Sequence, residues 1–225
     1  MNGLIKNGYA TTTREETVEV EPATETRKAK TRTVKYHTLT ESGLAYDPVA
    51  EAAAKAAEKE AAKAAKAAAK LAIAECLRFG ITSISDLYYY PNATAEAVAE
   101  SGIKANLALS SYRFIDQNEE FDFDTDEQCQ ELCKVVDKWH GYDNGRIKID
   151  AGIHAEYTSN YKLWEGLVGF AAEKKLGFQL HLAETKSEAD SCMDRTGLGP
   201  AELLSCHGIF NLPVTAVGCA NLSED

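Results

Sequence analysis

From Leu71 onward, short apolar runs alternate with segments of helical spacing. Ile81–Asp86 is a β-branched run ending in a carboxylate, and Ile103–Ser110, Arg146–Ala151, Gly177–Thr185 and Val214–Cys219 are four further strand-like runs. Helix-like stretches fall between them: Ala93–Glu100, closed by Ser101-Gly102; Thr125–Trp139; Tyr161–Lys175; Ser187–Arg195; and Pro200–Cys206. Strands about 20 to 45 residues apart with helices between them pair in parallel through right-handed crossovers. The pattern predicts an α/β protein: a partial (β/α) barrel of TIM type, or an open parallel sheet, of about five strands.

Residues 1–42 follow a different period. Thr17–Glu21 alternates, Pro22-Ala23 offers a turn, and Thr24–Leu39 alternates again. Both faces are rich in Thr, Lys, Arg and Glu, so this β ribbon has little apolar surface and must lean on the main body. His37 is expected in solvent. Asp47 as N-cap and Pro48 at the first helical position then open a long helix over 47–79. Ala50–Lys70 contains 13 alanines, the residue of highest helix propensity, and Glu51 to Lys55 is a favourable i, i+4 pair. A Leu/Ile stripe begins only at Leu71-Ala72-Ile73. Long Ala/Lys/Glu helices are what design writes where propensity is the main lever. Residues 11–70 therefore read as replaced or remodelled, with a natural low-complexity insertion as the alternative. The division expected is a ribbon at 1–42 and a partial barrel domain at 43–225.

At 225 residues the chain can bury a substantial core but is short for a full eight-unit barrel, which takes about 250 residues. A net charge of −11 argues against nucleic-acid or anionic-membrane partners. No apolar run approaches the roughly 20 residues that span a bilayer, and no signal pattern opens the chain, so a cytoplasmic location is the default. The six cysteines lack C-x-x-C spacing and read as buried thiols.

The chemistry gathers on one strand. Gly177–Thr185 delivers His181 and, three residues on, Glu184 to its carboxyl end, where parallel α/β proteins place ligands. A neutral imidazole there can bind a metal, and the carboxylate can carry a proton for a metal-bound water. Gly152–Thr158 ends the preceding strand with His154. Asp86 and Arg113 also stand at strand ends, where they pair or face solvent. Gly141–Gly145 and Gly197–Pro200 are turns, without the lysine of a phosphate loop, and no G-x-S-x-G elbow occurs.

These two strand ends resemble the metal-dependent amidohydrolase superfamily, in particular its branch of methylthioadenosine/S-adenosylhomocysteine deaminases and chlorohydrolases. There a P-H-x-x-Y-T-like strand end is followed by a helix and an H-x-x-E-T strand end. The similarity runs, with gaps, from about Leu71 to Asp225, and Leu4–Tyr9 is similar to that family's first strand. The resemblance implies His181 as a metal ligand, Glu184 as the proton carrier to the departing nitrogen, and His154 as a substrate contact. It also exposes departures. No H-x-H occurs, and Val217-Gly218-Cys219 stands where the family has A-H-C. The last strands, with the aspartate that activates water, have no counterpart. His140 and His207 match no family ligand. Catalytic zinc generally takes three protein ligands, and the pattern supplies one.

The resulting expectation is a non-catalytic or engineered scaffold derived from an amidohydrolase barrel, without a cofactor, in which His181 and Glu184 are vestiges. The alternative is a zinc- or iron-dependent hydrolytic deaminase of an aminopurine nucleoside such as methylthioadenosine, S-adenosylhomocysteine or adenosine. A small-molecule substrate belongs only to that alternative. In the scaffold reading Glu184 is desolvated among apolar neighbours, so Glu184→Gln raises the melting temperature slightly. An apolar inner barrel face would be covered by the long helix or by a homo-oligomer.

Overall fold

The structure, a computed structural model, describes residues 10–21 and 30–39 as backbone, and 47–114 and 120–223. Leu4–Tyr9, the Pro22-Ala23 turn, the start of the acidic loop at 118–126 and the side chain of His37 lie outside the described residues. The chain divides into two compact units, 1–59 and 60–225.

In the first unit, β1 (Ala10–Glu21) pairs antiparallel with β2 (Lys30–Leu39). The register sets Glu15 opposite Lys35 and Glu21 opposite Lys30, favourable cross-strand positions for unlike charges. Helix α1 (Pro48–Arg78) starts here. The Asp47 carboxylate accepts from Val49 N at 2.9 Å and Ala50 N at 3.2 Å, the N-cap predicted from Asp47-Pro48.

The second unit contains the remainder of α1 and then alternates: β3 (Ser83–Tyr88), α2 (Pro91–Ser101), β4 (Lys104–Leu109), α3 (Glu127–Trp139), β5 (Ile147–Gly152), α4 (Tyr161–Lys174), β6 (Phe178–Leu182), α5 (Lys186–Thr196), α6 (Pro200–Cys206) and β7 (Val214–Gly218). The five strands form one parallel sheet in the order β3-β4-β5-β6-β7, a partial TIM-type barrel. Strand β3 starts two residues later than the β-branched run suggests. Ile81 N instead donates to Cys76 O at 2.9 Å, closing the C-terminus of α1. Strand β6 stops at Leu182 because Ala183 turns to φ 46°.

Strand alternation separates two faces. Leu107, Ile149, Phe178 and Leu180 are fully buried and pack with Val98, Leu132, Leu163 and Leu167 from the helices in one core. The opposite face is not the apolar surface expected of an open barrel. It carries Ser85, Asn106, Asp150 and Gln179 in a continuous network. Ser85 Oγ donates to Gln179 Oε1 at 3.0 Å, and Gln179 Nε2 donates to Asp150 at 3.2 Å. Asp150 also accepts from Asn106 Nδ2 and from Gly177 N, the latter at 2.9 Å. Gly177 is required there, since a Cβ would fall 2.8 Å from Asp150 Oδ1. These bonds link polar side chains across four strands, so the centre of this face is polar, with Asn106 Oδ1 left without a partner among the described residues.

Two further expectations change. The Leu/Ile stripe of α1 reduces to Ile73, 3% exposed, whereas Leu71 is 73% exposed. The cysteines are free thiols, yet only Cys129 and Cys192 are buried and Cys206 is exposed. Burial pushes the Cys192 thiol up to about 11 and Cys129 further. Among the described residues, no helix is long and apolar enough to cross a membrane.

Candidate functional site

The chain leaves β5 at Gly152 and β6 at Leu182, and both exits carry a histidine. His154 N donates to Ser111 O at 2.9 Å, which ties the β5 exit to the chain beyond β4. The His154 carbonyl then receives two bonds from His181: from its backbone N at 3.1 Å and from its ring Nδ1 at 2.9 Å. A carbonyl only accepts, so the neutral imidazole of His181 carries its proton on Nδ1. Its Nε2 is left with a lone pair, the form that binds a metal or accepts from a substrate.

His154 is held in the same way. Its Nδ1 lies 3.0 Å from Thr158 Oγ1, whose own proton goes to Ala155 O at 3.1 Å. The ring N–H is therefore the donor, and Nε2 again carries the lone pair. The two imidazoles stand 5.3 Å apart between ring centroids, with Tyr157 edge-on to His154. Burial and the neighbouring His181 hold the His154 pKa below the usual imidazole range, while Glu184 and Glu188 oppose the shift. Beside His154, the rings of Tyr89, Tyr90, Tyr112 and Phe114 line a cavity of about 480 Å³.

Glu184 is exposed, not desolvated as expected. The turn that carries it is clasped from the end of β7: Cys219 N donates to Leu182 O at 2.7 Å, and Asn221 Nδ2 to Glu184 O at 3.0 Å. The buried carboxylate is Glu188, 8% exposed. It accepts from Ala183 N and Glu184 N, both at 2.9 Å, and from Thr185 N at 3.5 Å. Thr185 Oγ1 accepts in turn from Glu188 N at 3.2 Å. This is a capping box, and its T-x-x-E signature at Thr185–Glu188 was legible in the sequence. A second missed carboxylate, Glu156, is 1% exposed and accepts from Arg195 at 2.8 and 3.0 Å. That pair fastens the turn after His154 to α5, and at 39 residues apart it left no local signal.

Other residues lie elsewhere. Asp86 neither pairs with Arg113 nor faces open solvent; its partner is the Thr94 hydroxyl of α2. Arg113 lies over the Phe121 ring at 5.2 Å. His207 pairs with Glu165 at 3.1 Å, and His140 turns its Nδ1 to the backbone of Ile149. Among the described residues, no three His, Cys, Asp or Glu side chains are grouped to hold a metal ion. His181 offers one suitable donor, and the described residues alone do not make a metal centre.

His154, His181 and Glu184 thus lie together where β5 and β6 end in a partial TIM-type barrel. The amidohydrolase family profile matches residues 28–206, and the chain belongs to that family. It is 34% identical over 155 residues to the 5-methylthioadenosine/S-adenosylhomocysteine deaminase of Dictyoglomus thermophilum, covering 69% of this chain and 35% of the relative. To the 5'-deoxyadenosine deaminase of Methanobrevibacter smithii it is 33% identical over 155 residues, covering 69% and 34%. The chain thus spans about a third of the length of these curated relatives. Among solved structures, a zinc-bound adenosine deaminase from Xanthomonas campestris superposes with a TM-score of 0.64 at 25% identity, over 72% of this chain and 36% of that one.

Proposed function

We propose that this face is the nucleoside-binding side of a hydrolytic deaminase site acting on an adenosine-like nucleoside. The observation that carries the reading is the bond from His181 Nδ1 to His154 O, 2.9 Å, which presents Nε2 outward at the strand end. His181 is the imidazole offered to a metal and His154 the imidazole offered to substrate. Exposed Glu184, on the turn after His181, is the proton carrier. In such a reaction water adds at the carbon bearing the amino group, the C–N bond breaks and ammonia leaves. The chemistry left to Glu184 is to take the proton from water and return it to the departing nitrogen. The family resemblance and relatives named as deaminases support this reading. The donor set among the described residues does not hold a metal by itself.

The test is loss of the adenine absorbance of adenosine, 5'-deoxyadenosine and 5'-methylthioadenosine, with and without added zinc. Glu184→Gln is expected to lower turnover by roughly 10²–10⁴-fold with an unchanged melting temperature. Absence of turnover by the wild-type chain in every condition contradicts the reading.

One observation favours a second reading, a non-catalytic scaffold on an amidohydrolase barrel with a remodelled region at 11–70. Gly218 occupies the position where the resemblance implies a histidine, at φ 93°, and a Cβ there would lie 3.0 Å from Glu184 Cβ and 3.1 Å from its Cα. A ligand side chain has no room unless the Glu184 turn moves. Metal analysis of protein purified without chelator separates the two. Stoichiometric zinc or iron that is lost in His181→Ala sinks the scaffold reading.

A further inference from the structure

On the helix-facing side of the sheet, β3 meets α1 and α2 around a cavity of about 380 Å³ that reaches Tyr88 and Tyr90 at the end of the strand. That volume suits a small ligand. The wall from α1 is a stripe of methyl groups, Ala65, Ala68, Ala69 and Ala72, where helices packed on a sheet usually place Leu or Ile. The alanines supply helix propensity but too little volume to fill the space above β3, so the cavity follows from the composition of α1. Opposite them Asp86 projects from β3, half-buried, with Ile84 on the same strand face.

The electrostatics of Asp86 are unresolved within the fold. Its hydrogen-bond partner is the hydroxyl of Thr94, which is 9% exposed, and no ion pair to Asp86 occurs among the described residues. The nearby lysines of α1 point elsewhere: Lys66 is engaged by Glu96 at 2.9 Å and Glu100 at 2.8 Å, and Lys70 by Glu100. Burial accordingly pushes the Asp86 carboxyl above the usual carboxylate range, offset in part by Thr94. A carboxylate beside an apolar cavity and without a cation gains most from a ligand that brings both a positive charge and hydrocarbon.

We propose that this cavity binds a small primary amine with an apolar body, its ammonium on Asp86 and its hydrocarbon against the alanine stripe of α1. Tyr90 lines both this cavity and the one beside His154, but Asp86 and the alanine stripe line only this one, and the site does not depend on deaminase chemistry. Neutral apolar molecules fit the same walls but leave Asp86 uncompensated, so the amine is preferred.

The test titrates 2-phenylethylamine and its neutral counterpart 2-phenylethanol against the full chain, followed by backbone amide NMR shifts. The amine is expected to shift the amides of Ala69, Ile73 and Thr94 and to bind about tenfold more tightly than the alcohol. Asp86→Asn should bring the amine down to the affinity of the alcohol. Ala69→Leu, which fills the cavity and leaves Asp86 in place, should abolish binding of both. Equal affinity of amine and alcohol for the wild type, shifts confined to other residues, or undiminished binding by Ala69→Leu overturns the proposal. The unperturbed amides in each variant report that it is folded.

Discussion

Glu188 determines the local geometry of the site more than Glu184 does. Its carboxylate collects the N–H groups of Ala183, Glu184 and Thr185 and so holds the turn in which Ala183 takes φ 46°. Glu188→Ala leaves buried donors without an acceptor, and a loss of about 3 kcal/mol in chemical denaturation is expected. Glu188→Gln, which keeps one acceptor oxygen, should lose less. Glu184→Gln replaces an exposed side chain and should change stability by no more than about 0.5 kcal/mol, in place of the small gain expected from a desolvated carboxylate. The sequence showed the H-x-x-E pair because both residues lie on one strand end. It did not show which glutamate is buried, because that depends on how Thr185 caps α5. The departure at Gly218 was legible as a missing histidine, whereas its closeness to Glu184 is a property of how β7 ends.

Helices and strands were legible where the period was strong, and their ends moved where capping intervened, as at Ile81. The partner of the alanine-rich helix was not legible. Lys66 bridges Glu96 and Glu100 at 2.9 and 2.8 Å, Lys70 also meets Glu100, and Lys138 of α3 reaches Glu96 at 3.5 Å. Lys66 and Lys70 of the alanine-rich segment join α1 to α2. Hydrogen bonds from Lys66 and Lys70 hold the Glu100 carboxyl down to about 2, from a reference of 4.5. A depressed carboxyl pKa contributes stability above its unfolded value and loses it as pH falls toward the folded value. Melting temperature should therefore decline between about pH 4.5 and 2 partly through Glu100. Glu100→Gln should flatten that part of the profile, and high salt should weaken the ladder, since these side chains are exposed. An unchanged acid profile in Glu100→Gln would show that the ladder is not coupled to folding.

At the scale of the whole molecule, five parallel strands were readable because each βα unit announces itself locally. The polar inner face was not, because its members are far apart in the chain: Asn106 lies 44 residues and Gln179 29 residues from Asp150. Asp150 binds β4, β5 and β6 together from inside, at 6% exposure. Asp150→Ala should cost about 3 kcal/mol or more by leaving its donors unpaired, and a near-neutral result in urea denaturation would mean that water replaces it. The sheet also sets the register that brings His154 O to His181 Nδ1, and the functional reading depends on that contact. The most direct check is long-range ¹H–¹⁵N correlation of the histidine rings of the intact protein, at a pH where the imidazoles are neutral. The structure predicts that His181 carries its proton on Nδ1 and leaves Nε2 unprotonated. A His181 ring protonated on Nε2 would contradict it, because the His181 lone pair would then face the His154 carbonyl and none would be left to offer a metal.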